Sequence, residues 1–175
     1  MFVEGARDWT LKRPVSNHQG YTLLGFVLPD GVQPKVHMPV TASLVALRCK
    51  GDYLVGYNRM RRRWELPAGG IEWRETAEDA AVRELHEESC QRVESLRSCG
   101  LALAKRSTGF RKYTALYFAE LDSLQPFKSN SEWSRIDLWN LKERARDFDP
   151  LDRMVLEFCD RMAATPARTG VPARR

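Results

Sequence analysis

Residues 69–91 read GGIEWRETAEDAAVRELHEESCQ and place seven acidic side chains in a chain whose net charge is +5. Apolar residues recur through the same stretch at helical spacing. Ala77, Ala80, Ala81 and Leu85, with Val82 less regular, form one stripe, and Thr76 with Asp79 three residues on resembles an N-cap arrangement. The spacing predicts a helix from Thr76 to about Glu88. Glu84, Glu87 and Glu88 stand at i, i+3 and i+4, so their side chains project from one face, opposite much of the apolar stripe. Carboxylates gathered in this way repel one another unless protonated or neutralised. An oxygen-only set favours hard Mg²⁺ or Mn²⁺ over zinc, because no Cys or His is suitably placed; His86 points to another face. Taken alone, RELHEE is also the pattern of a solvated surface helix.

Outward from this helix the chain reads as strands. YTLLGFVLPDG is strand-like and closes on a Pro-Asp-Gly turn, while Val40 to Arg48 and Tyr53 to Asn58 are β-rich runs joined by CKGD, a hairpin signal. RRRWELPAGG carries a short strand into a Pro/Gly turn. SLRSCGLALAK and YTALYFAEL flank the basic turn RSTGFRK as antiparallel neighbours, and RIDLWNL is a further short strand. A second helix follows Asp149 and Pro150, with Leu151, Val155, Phe158 and Met162 at its apolar spacing. Strands on both sides of one central helix, with another helix at the end, predict an α/β layered domain with a mixed sheet. Residues 1–19 read as an N-terminal arm, 20–164 as a single domain, and 165–175, TPARTGVPARR, as a disordered tail.

The 175 residues suit one domain with a proper core. Cys49, Cys90, Cys99 and Cys159 are widely spaced without a CxxC pair, which predicts free thiols and a cytoplasmic setting. The first residues carry two acids and no continuous apolar core, so neither a signal peptide nor a membrane anchor is expected. Acids cluster within 72–94 and bases spread elsewhere, an asymmetry that suits an anionic ligand such as a nucleotide.

With its spacing, Gly69, Glu75, Arg83, Glu84, Leu85, Glu87 and Glu88 resemble the Nudix box, matching seven of its nine specified positions. Cys90 stands where that family has glycine and Gln91 where it has an aliphatic residue; Arg74 replaces a glycine found in many members. The preceding WELPAGGIE is also similar to the approach to the box, and the layout resembles the family from about Tyr21 to Met162. The resemblance implies an α/β/α sandwich and metal-dependent hydrolysis of a pyrophosphate bond in a nucleoside diphosphate linked to another moiety. ADP-ribose, nucleotide sugars, dinucleoside polyphosphates and nucleoside triphosphates all fall within that class. It further implies Mg²⁺ or Mn²⁺ held by Glu84, Glu87, Glu88 and the carbonyl of Ala68. Gly69 permits the sharp loop, and Arg83 braces loop and helix by pairing with Glu75.

The attacking water needs a base, and either a box glutamate such as Glu87 or the loop acid Glu132 can serve; Glu88 belongs to the same catalytic set. Arg59, Arg61 and Arg63 lie just before the metal loop, and Arg106, Arg111 and Lys112 border the basic turn as further nucleotide contacts, where Phe110 or Tyr113 is available to stack on a base. These five arginines are candidate substrate contacts, although exposed basic edges and core aromatics account for the same residues. Retention of all three helix acids argues against the alternative, a catalytically silent Nudix-like module that binds nucleotide or RNA. RNA is a compatible partner that no motif indicates. A homodimer through the arm is allowed, as is an arm folded on its own domain.

Overall fold

The computed structural model describes residues 2–4, 8–28, 39–143 and 147–165. Its centre is a strand apolar on both faces. β4 (Val40–Cys49) sends Leu44 and Ala46 into one core and Val45 and Leu47 into another, all of them buried. A strand covered on both sides reads as a continuous apolar run, as Leu44–Leu47 does. On one face lies α1 (Ala77–Ser89), whose Ala81 and Leu85 close the smaller core with Val45, Leu47 and Leu54. On the other lies α2 (Pro150–Ala164), whose Val155, Leu156 and Phe158 close the larger one, with Phe158 stacked on Phe26 at 4.0 Å. The result is an α/β/α sandwich.

The sheet carries the remaining strands in chain order: β1 (Phe2–Glu4), β2 (Asp8–Ser16), β3 (Tyr21–Val27), β5 (Asp52–Asn58), β6 (Arg63–Glu65), β7 (Ala68–Gly70), β8 (Arg97–Arg106), β9 (Arg111–Leu121) and β10 (Trp133–Trp139). Across it the order is β1-β2-β3-β8-β9-β4-β5-β10, with β6 paired to β5 and β7 to β4. β4 and β9 run parallel and the other pairs antiparallel, so the sheet is mixed. The β4–β5 hairpin turns on Lys50 and Gly51, both with positive φ, as a two-residue turn with the right twist requires. β8 and β9 are antiparallel neighbours as the sequence predicts.

Two stretches fold differently from their sequence reading. Residues 8–16, within the expected arm, form β2 and pair with β3, and Leu11 is buried in the larger core. Pairing register slips between Thr10 and Val15, around Pro14, and this irregularity breaks the alternation that marks a strand. Ala68–Gly70, read as part of a turn, is β7: Ala42 pairs with Gly70, Ser43 with Gly69 and Leu44 with Ala68. Pairing there is all backbone, and glycines give no side-chain pattern to announce it. The turn expected at 29–31 and the tail beyond 165 lie outside the described residues. Among the described residues, no helix is long and apolar enough to cross a membrane.

Candidate active site

α1 begins with a full capping box. The Thr76 hydroxyl accepts from the Asp79 N–H at 3.1 Å while the Asp79 carboxylate accepts from the Thr76 N–H at 3.3 Å. This fixes where the helix starts relative to β7, and hence which residues of its last turns face the β7 backbone. Glu88 turns inward, is only 5% exposed, and accepts the Ala68 N–H at 2.9 Å. Glu84 is mostly covered and lies against Gly69 so closely that a Cβ there would collide with its carboxylate. Glu87 is 62% exposed.

Arg83 organises the rim. Its Nε and Nη2 meet the two oxygens of Glu75 at 2.8 and 3.0 Å, Nη2 also donates to the Gly70 carbonyl at 2.8 Å, and Nη1 reaches Glu84 at 2.8 Å and Glu87 at 3.2 Å. The bidentate pair holds Glu75 below the usual carboxylate range and Arg83 above the usual arginine range. Arg83 thereby ties the loop to the helix, and the guanidinium is the counter-charge for Glu84 and Glu87 in this arrangement. Consequently the three helix acids do not form a ready cage. Among the described residues no three His, Cys, Asp or Glu side chains are gathered as one. The donor set still fits a hard divalent cation: carboxylate oxygens from one helix face, beside a glycine whose missing side chain makes the space for Glu84.

Glu88 sits in an acidic surrounding. Burial, then the nearby Glu65 and Glu132 carboxyls, push it up to about 10 against the lowering effect of the Ala68 N–H. Glu65, itself buried, accepts from Asn58 at 2.6 Å, Arg61 at 2.8 Å and the Trp133 indole at 3.2 Å. Burial works against the charge of Arg61, but Glu65, Glu132 and Glu88 together raise its pKa. Glu132 reaches this cluster from the loop before β10, an exposed residue whose carbonyl accepts the Arg59 N–H at 2.8 Å.

On the α2 side of the β7 loop opens a cleft of about 300 Å³. Leu23, Leu44, Ala102, Ala104 and Val155 floor it, Asn17, Gln19, Thr114, Lys112, Asp149 and Asp152 supply its polar groups, and it runs to Arg61, Glu65 and Ala68–Gly70. Of the arginines singled out from the sequence, only Arg61 lines it. Arg59 is exposed, Arg63 is spent on the Arg61 carbonyl at 3.2 Å, and Arg106 and Arg111 stand out on the β8–β9 turn, with Arg106 over the Tyr21 ring. From that turn it is Lys112 that reaches the cleft. Phe110 is 56% exposed; Trp133 and Trp139 are buried.

A family model described as the NUDIX domain matches residues 37–157. The chain belongs to the Nudix family. Solved structures agree on the fold. The Bacillus subtilis pyrophosphohydrolase BsRppH aligns at TM-score 0.64 and 24% identity, over 85% of this chain and 96% of that one. A C. elegans Ap4A hydrolase aligns at TM-score 0.59 and 18% identity over 72% and 98%, and an ADP-ribose pyrophosphatase from Streptococcus suis at 0.59 and 18% over 71% and 92%.

The departures from the Nudix box now have a geometry. Cys90 takes the left-handed conformation itself, with φ 61° and ψ 11°, and its N–H closes the helix on the His86 carbonyl at 2.8 Å. Arg74 is likewise left-handed at φ 66°. Gln91 is fully buried and exchanges hydrogen bonds with Gln125: its Nε2 donates to the Gln125 carbonyl at 3.0 Å and its Oε1 accepts the Gln125 N–H at 2.7 Å. The Gln125 side chain does the same to the backbone of Arg92, at 3.0 Å in both directions. Where the family pattern has an aliphatic residue, this protein buries a paired amide. Glu65, Gln125 and Asp152 escaped sequence reasoning. Each lies outside the box, and only the burial of Glu65 on a three-residue strand marks it.

Proposed function

We propose that this Nudix protein hydrolyses the pyrophosphate linkage of a nucleoside diphosphate joined to another moiety. The observation that carries the reading is the shared β7 loop: Ala68 and Gly69 touch the acids of α1 and also line the cleft beside α2. A phosphate chain lying over this loop has carboxylates on one side and a nucleoside-sized recess on the other.

Glu84, Glu87 and Glu88 are the residues that would hold Mg²⁺ or Mn²⁺, with the Ala68 carbonyl as a further oxygen. Such an ion supplies positive charge that offsets the phosphate oxygens and favours ionisation of water. The remaining work falls to the chain. Glu132, adjoining Glu88, takes the proton of the attacking water. The water oxygen bonds to one phosphorus, the bridging P–O bond breaks, and two phosphate-bearing products leave. Arg61 and Lys112 offer cations to the substrate phosphates from the cleft, and its apolar floor accepts the nucleoside while Asn17, Gln19 and Thr114 meet its polar edges. The names of the Ap4A hydrolase and the ADP-ribose pyrophosphatase that share the fold support this substrate class.

The test is turnover with Mg²⁺ on a panel of ADP-ribose, nucleotide sugars, dinucleoside polyphosphates, nucleoside triphosphates and capped RNA, beside Glu88→Gln. Metal-dependent product from the wild type, reduced by at least about a hundredfold in the variant, is expected. If no panel member is cleaved faster by the wild type than by the variant, the reading fails and nucleotide binding without cleavage takes its place.

A further inference from the structure

The loop that carries Glu132 is fastened to the end of α1 by one carboxamide. Asn130 Nδ2 donates to the carbonyls of Glu87 and Glu88, at 3.0 and 2.9 Å, while its Oδ1 accepts the N–H groups of Glu132 and Trp133, at 3.0 and 2.7 Å. The carbonyls it satisfies belong to the last turn of the helix, where no backbone donor of the helix can reach them. They also belong to two of the residues whose carboxylates face the site. The backbone of Glu132 is therefore located by reference to the acidic helix itself. The Gln91–Gln125 exchange anchors the same loop upstream, and the Cys90 thiol, 3.7 Å from the Lys128 carbonyl, lies between the two anchors.

We propose that Asn130 is a positioning residue for hydrolysis, holding the Glu132 carboxyl against the acids of α1 through a bridge to the Glu87 and Glu88 carbonyls. The inference rests on the reading in which Glu132 removes the proton of the attacking water. A base displaced by even about an ångström loses much of its effect, so cutting the bridge lowers turnover more than substrate affinity.

Asn130→Asp separates the two halves of the bridge. It keeps an oxygen for the Glu132 and Trp133 N–H groups and loses the donor to the helix carbonyls; Asn130→Ala loses both. With the best substrate of the panel, both variants are expected to lower kcat by about tenfold or more while KM moves within about twofold. Adding Asn130→Asp to Glu132→Gln should cost no more than about a further twofold, because once the base is gone its position no longer matters. Amide hydrogen exchange gives a readout independent of turnover: the Glu132 and Trp133 N–H groups exchange faster in Asn130→Ala and stay protected in Asn130→Asp. An Asn130→Asp enzyme with wild-type kcat overturns the proposal, as do penalties for Asn130→Asp and Glu132→Gln that multiply in full. Wild-type protein without turnover on any panel member overturns the underlying reading, and the proposal falls with it.

Discussion

Gly69 shows why a position that carries no side chain can matter as much as the acids around it. Its place in β7 requires no unusual backbone, yet any Cβ would strike the Glu84 carboxylate. Gly69→Ala should leave the fold intact, because Glu84 can rotate away, and should lower turnover by about tenfold or more by displacing that carboxylate. Circular dichroism paired with kinetics checks both halves. Cys90 presents the reverse case, a side chain where none is wanted. Holding a non-glycine residue in the left-handed region costs about 1 kcal/mol, so Cys90→Gly should raise unfolding stability by that amount in urea titration. No gain would mean that the thiol's contact with the Lys128 carbonyl offsets the backbone cost. The clustered acids of α1 were legible in the sequence because helical spacing alone puts Glu84, Glu87 and Glu88 on neighbouring positions. Asn130 was not, since a lone Asn in a polar loop is an ordinary turn residue until its four partners are known.

At the scale of elements, the helix signals held and the weak strands did not. Asp149 caps α2 by accepting the Leu151 N–H at 2.8 Å, and Thr76 caps α1, both as the sequence predicts. β2 and β7 were hidden because a bulge around a proline and a run of glycines erase the alternation on which strand reading depends. α2 also brings a half-buried acid to the cleft. The Asp152 carboxylate accepts the Leu66 N–H at 2.9 Å, yet burial, Asp149 and Glu65 raise its pKa well above the usual value. An aspartate whose folded pKa exceeds the unfolded value of about 3.9 retains its proton in the native state across the interval between them. The native state binds more protons there, so stability falls as pH rises through that interval. Asp152→Asn keeps an oxygen for Leu66 and removes the titration. Its thermal midpoint should pull ahead of the wild type progressively above about pH 4, and a difference independent of pH would refute this account.

For the whole molecule, the N-terminal strands complete a sheet that the family match at 37–157 does not include. Removing residues 1–19 would uncover the β3 edge, take Leu11 from the larger core and strip Asn17 and Gln19 from the cleft. Such a protein should melt lower, self-associate through the exposed edge and show a raised KM, as light scattering and kinetics would report. Layer architecture was readable from the alternation of helices with strands, whereas the cleft was not, because it is assembled from β3, β4, β7, β8, β9 and α2 and from no contiguous motif. The parallel β4–β9 pairing carries a consequence for how the molecule is made. It matches Val45 with Tyr117, so the centre of the sheet can close only after the whole intervening chain, α1 included, has been drawn into a single loop. Closing so long a loop is slow on the scale of helix and hairpin formation. The acidic helix sits inside that loop, so the β9 part of its support, Ala119 among it, arrives only with closure, which makes the refolding rate of this protein a property of its sheet centre.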